Sequence, residues 1–147
     1  LNDIVISRGV VSRLIQLDVT VDGEPLTCFR GDGLIVSSPT GSTAYSLASG
    51  GALVAPAAEV FQLTPICPHT LSNRSLILPL TSTICIQARS PKPATILSAD
   101  GDVIAELSAE DVVTIHRSRR TVRLLQFKGS SFFEALRQKQ NWRGASV

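Results

Sequence analysis

The chain has 147 residues, 44% hydrophobic and 18% charged, with a formal net charge of +2. That composition supports one domain with a substantial core and excludes a disordered chain. The apolar runs are short and broken by Gly, Pro or charge, so none reaches the roughly 20 residues of a membrane span, and no signal-like start appears.

Taken in chain order, the sequence reads as many short strands. Ile4-Val5-Ile6 is the first, and Leu14 to Val21 follows in strict alternation, with Asp22-Gly23 as a hairpin turn into Leu26 to Phe29. Leu34 to Ser37 leads into the hydroxyl-rich run Ser37-Ser38-Pro39-Thr40-Gly41-Ser42-Thr43, after which Ser42 to Ser49 reads as a short helix. Strands are then expected at Val60 to Thr64, Ser75 to Leu78, Thr83 to Ala88, Thr95 to Ala99, Val103 to Leu107, Val112 to His116 and Val122 to Phe127. Asp100-Gly101 repeats the hairpin device. A last helix, Ser131 to Trp142, has Ser130 or Ser131 as N-cap and Phe132, Phe133 and Leu136 on one face. The expectation is a mainly β protein forming one packed, soluble unit, with no membrane partner.

Cys28, Cys67 and Cys85 are odd in number and widely spaced in apolar or strand-like contexts. They read as reduced core thiols of a cytoplasmic protein, not as a disulfide frame or metal cluster. From His116 to Arg143 Glu134 is the lone acid. Arg117, Arg119, Arg120 and Arg123 alternate in strand-like sequence without interleaved aromatics, which favours a solvated face or an anionic small-ligand rim over a nucleic-acid surface. The sequence contains no Gly-x-Gly-x-x-Gly, Walker lysine loop or Gly-x-Ser-x-Gly elbow, and His69 and His116 stand alone.

The parts of the run Gly31 to Gly51 agree on one kind of ligand. Ser37, Ser38, Thr40, Ser42, Thr43 and Ser46 cluster hydroxyls, Gly41 admits close backbone approach, and a helix starting near Thr43 would offer amide N–H groups to a phosphate or ribose. Asp32 can accept two hydrogen bonds from a diol or an amide, and Tyr45 can stack on a planar ring. A nucleotide satisfies all of these. The competing reading is a capped turn in which the hydroxyls merely satisfy backbone groups.

The run Phe29-Arg30-Gly31-Asp32-Gly33-Leu34-Ile35-Val36-Ser37-Ser38-Pro39-Thr40-Gly41-Ser42-Thr43-Ala44-Tyr45-Ser46-Leu47-Ala48-Ser49-Gly50-Gly51 resembles the signature of NAD kinases. Leu1-Asn2-Asp3-Ile4-Val5-Ile6 resembles that family's Asn-Glu/Asp motif. Thr64-Pro65-Ile66-Cys67-Pro68-His69-Thr70-Leu71-Ser72 with Leu76-Ile77-Leu78-Pro79, and Ser98-Ala99-Asp100-Gly101, resemble its later hallmarks in order and spacing. The resemblance implies the β-sandwich-like C-terminal domain of the NAD kinase fold over residues 1–147, with a short helix after the Thr-Gly-Ser-Thr-Ala-Tyr motif and a C-terminal helix. It implies transfer of the terminal phosphoryl of ATP or polyphosphate, with Mg²⁺, to the 2′-hydroxyl of the adenosine ribose of NAD, giving NADP, in a homodimer or homotetramer.

Residue by residue, the resemblance places Asn2 and Asp3 at the NAD ribose region, with Asp3 where many relatives have Glu. Asp32 falls at the nicotinamide end, often reached across a subunit boundary, and Tyr45 against an NAD ring. Thr43, Ala44, Ser46, Leu47 and Ala48 wrap the adenine and its ribose, and Cys67 lines the adenine pocket. Asp100 lies near the phosphate-accepting sugar, and Asp102, where some relatives have Gln, is a weaker candidate. Arg13 and Arg30 are candidates for phosphate contacts. The family's Gly-Gly-Asp-Gly motif, whose aspartate is taken as the base, does not occur in this sequence. With Leu1 opening in mid-strand and no Met anywhere, the expectation is a C-terminal domain cut from a longer chain, inactive by itself. Lipid kinases of the diacylglycerol or sphingosine type share the two-domain plan but lack the Thr-Gly-Ser-Thr-Ala-Tyr run; a non-catalytic nucleotide-binding module is the other alternative.

Overall fold

The computed structural model describes residues 1–10, 13–70, 74–89, 95–123, 125 and 131–140. Two compact units divide the chain, Leu1–Arg117 and Ser118–Val147.

The first unit holds ten strands: β1 (Asp3–Arg8), β2 (Ile15–Val21), β3 (Glu24–Gly31), β4 (Gly33–Ser37), β5 (Val60–Ile66), β6 (Leu76–Pro79), β7 (Ile84–Ala88), β8 (Thr95–Ala99), β9 (Asp102–Leu107) and β10 (Val112–Ile115). They form a six-stranded sheet in the order β6-β5-β4-β1-β8-β9 and a four-stranded sheet in the order β10-β7-β2-β3. Alternation explains the core. Ile6, Leu34, Val36, Phe61 and Leu63 of the larger sheet cluster with Ile15, Leu17, Val19, Phe29, Ile84, Ile86 and Ala88 of the smaller one, so one face of each sheet closes a sandwich. Both Asp-Gly turns have two residues of positive φ, at 53° and 84° for Asp22-Gly23 and at 50° and 91° for Asp100-Gly101. That is the conformation of two-residue hairpins whose twist matches the strands.

β4 departs from simple alternation, because all five of its residues are buried. Leu34 and Val36 face the sandwich core, so Ile35 and Ser37 lie on the opposite face of the same sheet. The register carries that outer face across three strands, pairing Gln62 with Ser37 and Ser37 with Asp3. These polar residues, 0%, 0% and 5% exposed, place polar chemistry beneath the loop that follows β4.

The expected strands from Ile4-Val5-Ile6 through Val112 to His116 are present, and the last, Val122 to Phe127, lies in part outside the described residues. Among the described residues of Val122 to Phe127, at 122, 123 and 125, none is in a strand. The short helix is also differently divided. Thr40–Thr43 forms a 3₁₀ turn and α1 (Tyr45–Ala48) a single helical turn, so the motif's hydroxyls sit in the turn and not in the helix. The cysteines are not core residues: Cys28 and Cys67 are exposed and Cys85 half-buried, all as free thiols. In β3, alternation turns Phe29 inward and therefore Cys28 outward.

The second unit contains α2 (Phe132–Lys139), capped by Ser131, whose Oγ accepts from Phe133 N at 3.2 Å. The Phe132 and Phe133 rings meet edge to face at 5.5 Å. Trp142, expected in the same helix, lies outside the described residues.

Candidate functional site

At one end of β1 the fold brings the adjacent Asn2 and Asp3 together with Asp100, far from them in sequence. Asp100, held in the left-handed region at the β8–β9 turn, turns its carboxylate onto the start of β1. Its Oδ1 accepts from Asn2 N at 2.6 Å and from Asp3 N at 3.2 Å, and its own N–H donates to Asp3 O at 3.1 Å. Asp3 is buried, Asn2 and Asp100 are exposed, and Asp102 is an exposed residue at the start of β9.

Burial pushes the Asp3 carboxyl above its usual range, and the neighbouring Asp100 charge adds to the effect. A raised carboxyl pKa means that the folded state binds more protons than the unfolded state as pH rises from the ordinary value of 3.8 towards the folded one. Stability therefore falls through that window, and the penalty persists at neutral pH. Asp3→Asn is expected to raise the melting temperature at pH 7 and to give little gain at pH 3, where both states are protonated. Thermal denaturation at the two pH values checks this; an equal difference at both would remove the charge from the account.

The loop after β4 is built on this end of the strand. Ser38 N donates to Asn2 O at 2.8 Å, Ser38 Oγ donates to Leu1 O at 3.0 Å, and Gly41 N donates to Ser38 Oγ at 3.1 Å. The 3₁₀ turn crosses so close to Asn2 that a Cβ at Gly41 would lie 1.9 Å from Asn2 O. Glycine is required here for space, as the sequence suggested.

The hydroxyls divide between the two readings. Ser42 Oγ donates to Pro39 O at 2.7 Å and accepts from Val54 N at 3.0 Å, and Thr43 Oγ1 donates to Thr40 O at 3.2 Å. Ser46 Oγ and Thr64 Oγ1 are buried together at 2.8 Å. Gln62, its amide oriented by its neighbours, donates from Nε2 to Ala52 O at 2.9 Å. Its Oε1 accepts from Ala52 N at 2.8 Å and from the Ser46 and Thr64 hydroxyls at 3.0 and 3.1 Å. Ser42 and Ser46 are thus structural through their side chains, while Thr43, Tyr45 and Ala48 are exposed. Ser37 Oγ is buried beside this network without a hydrogen-bond partner. The expected array of open amides is reduced, since Ser42 N donates to Ser38 O, Ala44 N to Gly41 O and Leu47 N to Ala44 O.

Towards the other end of β1 a cavity of about 310 Å³ is lined by Ser7, Arg8, Gly9, Asp32, Tyr45 and Ile66. Arg8 Nε lies 2.8 Å from Asp32 Oδ1. Asp32 is fixed through its backbone as well, its carbonyl accepting from Arg8 N at 2.9 Å and its N–H donating to Ile66 O at 3.0 Å. Asp32 and Tyr45, 13 positions apart in the sequence, therefore share one concavity. Cys67, with φ of 44°, follows β5 in an exposed turn, and Arg13 and Arg30 are exposed; none of the three lines this cavity.

Three contributors were not singled out in the sequence. Arg8 carried no expectation at all, and Gln62 only that of lying in the strand Val60 to Thr64. Ser38 was counted only as one hydroxyl among several. The adjacent Gly50-Gly51 was the available signal for Gln62, because a Cβ at Gly51 would lie 2.2 Å from Gln62 Nε2.

Among the described residues no helix is long and apolar enough to cross a membrane, and no group of three or more His, Cys, Asp or Glu side chains could hold a metal ion. A family model described as the ATP-NAD kinase C-terminal domain matches residues 1–127. The NAD kinase of Koribacter versatilis is 44% identical over 142 residues, covering 97% of this chain and 50% of that protein. The NAD kinase of Desulfatibacillum aliphaticivorans is 44% identical over 147 residues, covering 100% and 52%. Among solved structures, yeast NADH kinase complexed with NADH matches with a TM-score of 0.88 at 32% identity, covering 99% of this chain and 45% of that one. An NAD kinase from Archaeoglobus fulgidus in complex with ATP matches with a TM-score of 0.72 at 29% identity, covering 81% and 45%. The chain spans about half the length of the curated relatives it matches.

Proposed function

Because the chain belongs to the ATP-NAD kinase family, as its C-terminal domain, we propose that residues 1–147 serve as the NAD-binding domain of an enzyme that phosphorylates the 2′-hydroxyl of the adenosine ribose of NAD to give NADP. The observation that carries this reading is the meeting of Asn2, Asp3 and Asp100 at the end of β1, directly against the Thr40–Thr43 turn. Acceptors and donors there suit a ribose, and the rigid sheet beneath them supplies the positioning on which phosphoryl transfer depends.

In this reading Asn2, Asp3 and Asp100 face the adenosine ribose. Thr43, Ala44, Ser46, Leu47 and Ala48 border the adenine with Cys67, and Ser46 contributes its backbone because its hydroxyl is turned into the sheet. Asp32 and Tyr45 take the nicotinamide end in the cavity they share. Arg13, Arg30 and Asp102 are the candidates for phosphate or further ligand contacts. ATP or polyphosphate donates the phosphoryl group, and the base aspartate belongs to the half of the relatives' length that this chain does not span. The described residues do not supply a metal site of their own, so Mg²⁺ is proposed to enter with the donor phosphates, where it neutralises their charge. We also propose that the enzyme is a homodimer or homotetramer acting in the cytoplasm, a setting supported by three free thiols.

The test is Asn2→Ala in the full-length protein. Its side chain is exposed and its backbone makes the structural bonds, so melting temperature is expected to stay nearly unchanged. Loss of a polar partner in a ligand complex costs about 1–3 kcal/mol, and NAD usage is expected to fall about tenfold or more. Calorimetry and steady-state kinetics check it; equal affinity in the variant would take Asn2 out of the site.

A further inference from the structure

We infer that Arg8 is a positioning residue that sets the choice between oxidised and reduced dinucleotide, by holding Asp32 and offsetting its charge in the cavity they share. The inference rests on the reading that Asp32 faces the nicotinamide end.

The geometry is that of a paired anion. Arg8 Nε and Asp32 Oδ1 lie 2.8 Å apart, with side chains 32% and 27% exposed, so the pair is partly withdrawn from water without being sealed from a ligand. The backbone bonds of Asp32 to Arg8 N and Ile66 O fix where the carboxylate starts, and the guanidinium fixes where it points. The other residues lining the cavity, Ser7, Gly9, Tyr45 and Ile66, are neutral types. Among the described residues lining the cavity this pair therefore carries the charge, and its two members are of opposite sign.

A ring entering this cavity meets that balance. The oxidised nicotinamide carries a positive charge and the reduced ring carries none, while the two dinucleotides are otherwise nearly the same molecule. A bare Asp32 would attract the oxidised ring selectively, and a bare Arg8 would repel it selectively. Held as a pair, Asp32 keeps an acceptor available for the ring's carboxamide N–H groups while the net field on the ring is small. Arg8 thus makes the site more even-handed between the two redox forms than Asp32 alone would make it.

The experiment measures KM and kcat for NAD and for NADH in the full-length enzyme with Arg8→Gln, Arg8→Met, Arg8→Lys and Asp32→Asn, and with Arg8→Gln combined with Asp32→Asn. Arg8→Gln and Arg8→Met are expected to lower the ratio of KM for NAD to KM for NADH about three- to fivefold, the range for a partly exposed ion pair. Arg8→Lys is expected to restore the ratio, and Asp32→Asn to raise it. In the Asp32→Asn background, Arg8→Gln is expected to lower the ratio again by removing the uncompensated cation. A general packing defect would move both KM values together and leave the ratio alone. Should either neutral Arg8 variant fail to fold, the other and the Asp32 background still read the charge. An unchanged ratio in the Arg8 variants, with Asp32→Asn altering it, overturns the role of Arg8 and leaves the site reading standing. No effect of Asp32→Asn on either dinucleotide overturns the site reading itself, and the inference with it.

Discussion

Assayed with NAD, Mg²⁺ and either ATP or polyphosphate, the 147-residue chain alone is expected to form no measurable NADP, while the full-length protein forms it readily. The sequence has no Gly-Gly-Asp-Gly run, the motif that in the proposed reading supplies a base for the attacking hydroxyl and glycines that approach the donor phosphates. General-base assistance alone is worth about 10² to 10⁴ in rate, and positioning of the donor adds to that. The carboxylates at hand do not replace it: Asp100 Oδ1 already accepts two backbone N–H groups, and Asp3 is buried beside it. Turnover by the isolated chain comparable to that of the full protein would put the catalytic base inside this domain, with Asp3 as the first residue to examine.

The second large effect is expected at Gly41. A methyl group there would stand 1.9 Å from Asn2 O and 2.5 Å from the Asn2 carbonyl carbon. Both are backbone atoms, so no side chain can swing away. The Asn2 carbonyl cannot retreat without breaking its bond from Ser38 N, nor can Asn2 N move without leaving Asp100. Gly41→Ala must therefore lift the 3₁₀ turn off β1 or displace the strand end itself. Overpacking of this kind costs about 1–3 kcal/mol, and misplacing a binding group by about 1 Å can lower turnover on the order of 10²-fold. Both losses are expected in the full-length enzyme, by thermal denaturation and by kcat/KM for NAD. A variant that keeps its stability and its activity would show that the turn has slack that the geometry denies.

The expectations that succeeded in the sequence were local ones. Alternation from Leu14 to Val21 gave β2, and two Asp-Gly pairs gave two hairpin turns, because side-chain direction and positive φ are decided within a few residues. Where the reading stopped, the cause was distance along the chain. Gln62 bonds Ala52 and Ser46 across a loop, and Arg8 meets Asp32 only because β1 and β4 are neighbours; neither pairing has a sequence period. The hydroxyl cluster was legible as a cluster but not as a division of labour. Ser42 and Ser46 carry the same chemistry as Thr43, and it is their partners across the loop, Val54 for Ser42 and Gln62 and Thr64 for Ser46, that turn them inward. The strand expected at Val122 to Phe127 falls in part outside the described residues, and those described, 122, 123 and 125, are not in a strand. The clustering of Asn2 and Asp3 with Asp100 was expected from the family resemblance, not from the spacing of those residues.

The amide of Gln62 does for Ala52 what a neighbouring strand would do, giving one acceptor and one donor to the same backbone unit. Fixing a backbone residue costs about 1–2 kcal/mol in conformational entropy. Here the segment from Ser46 to Ala52 is tied to β5 by the fold itself, so that entropy is lost during folding and not when a dinucleotide arrives. If the segment borders the dinucleotide as proposed, binding is expected to meet a surface already in its final shape, with an association rate set by diffusion and orientation rather than loop closure. The Ala52 amide proton, bonded to Gln62, is expected to exchange with solvent as slowly as those of the sheet, which hydrogen exchange measures.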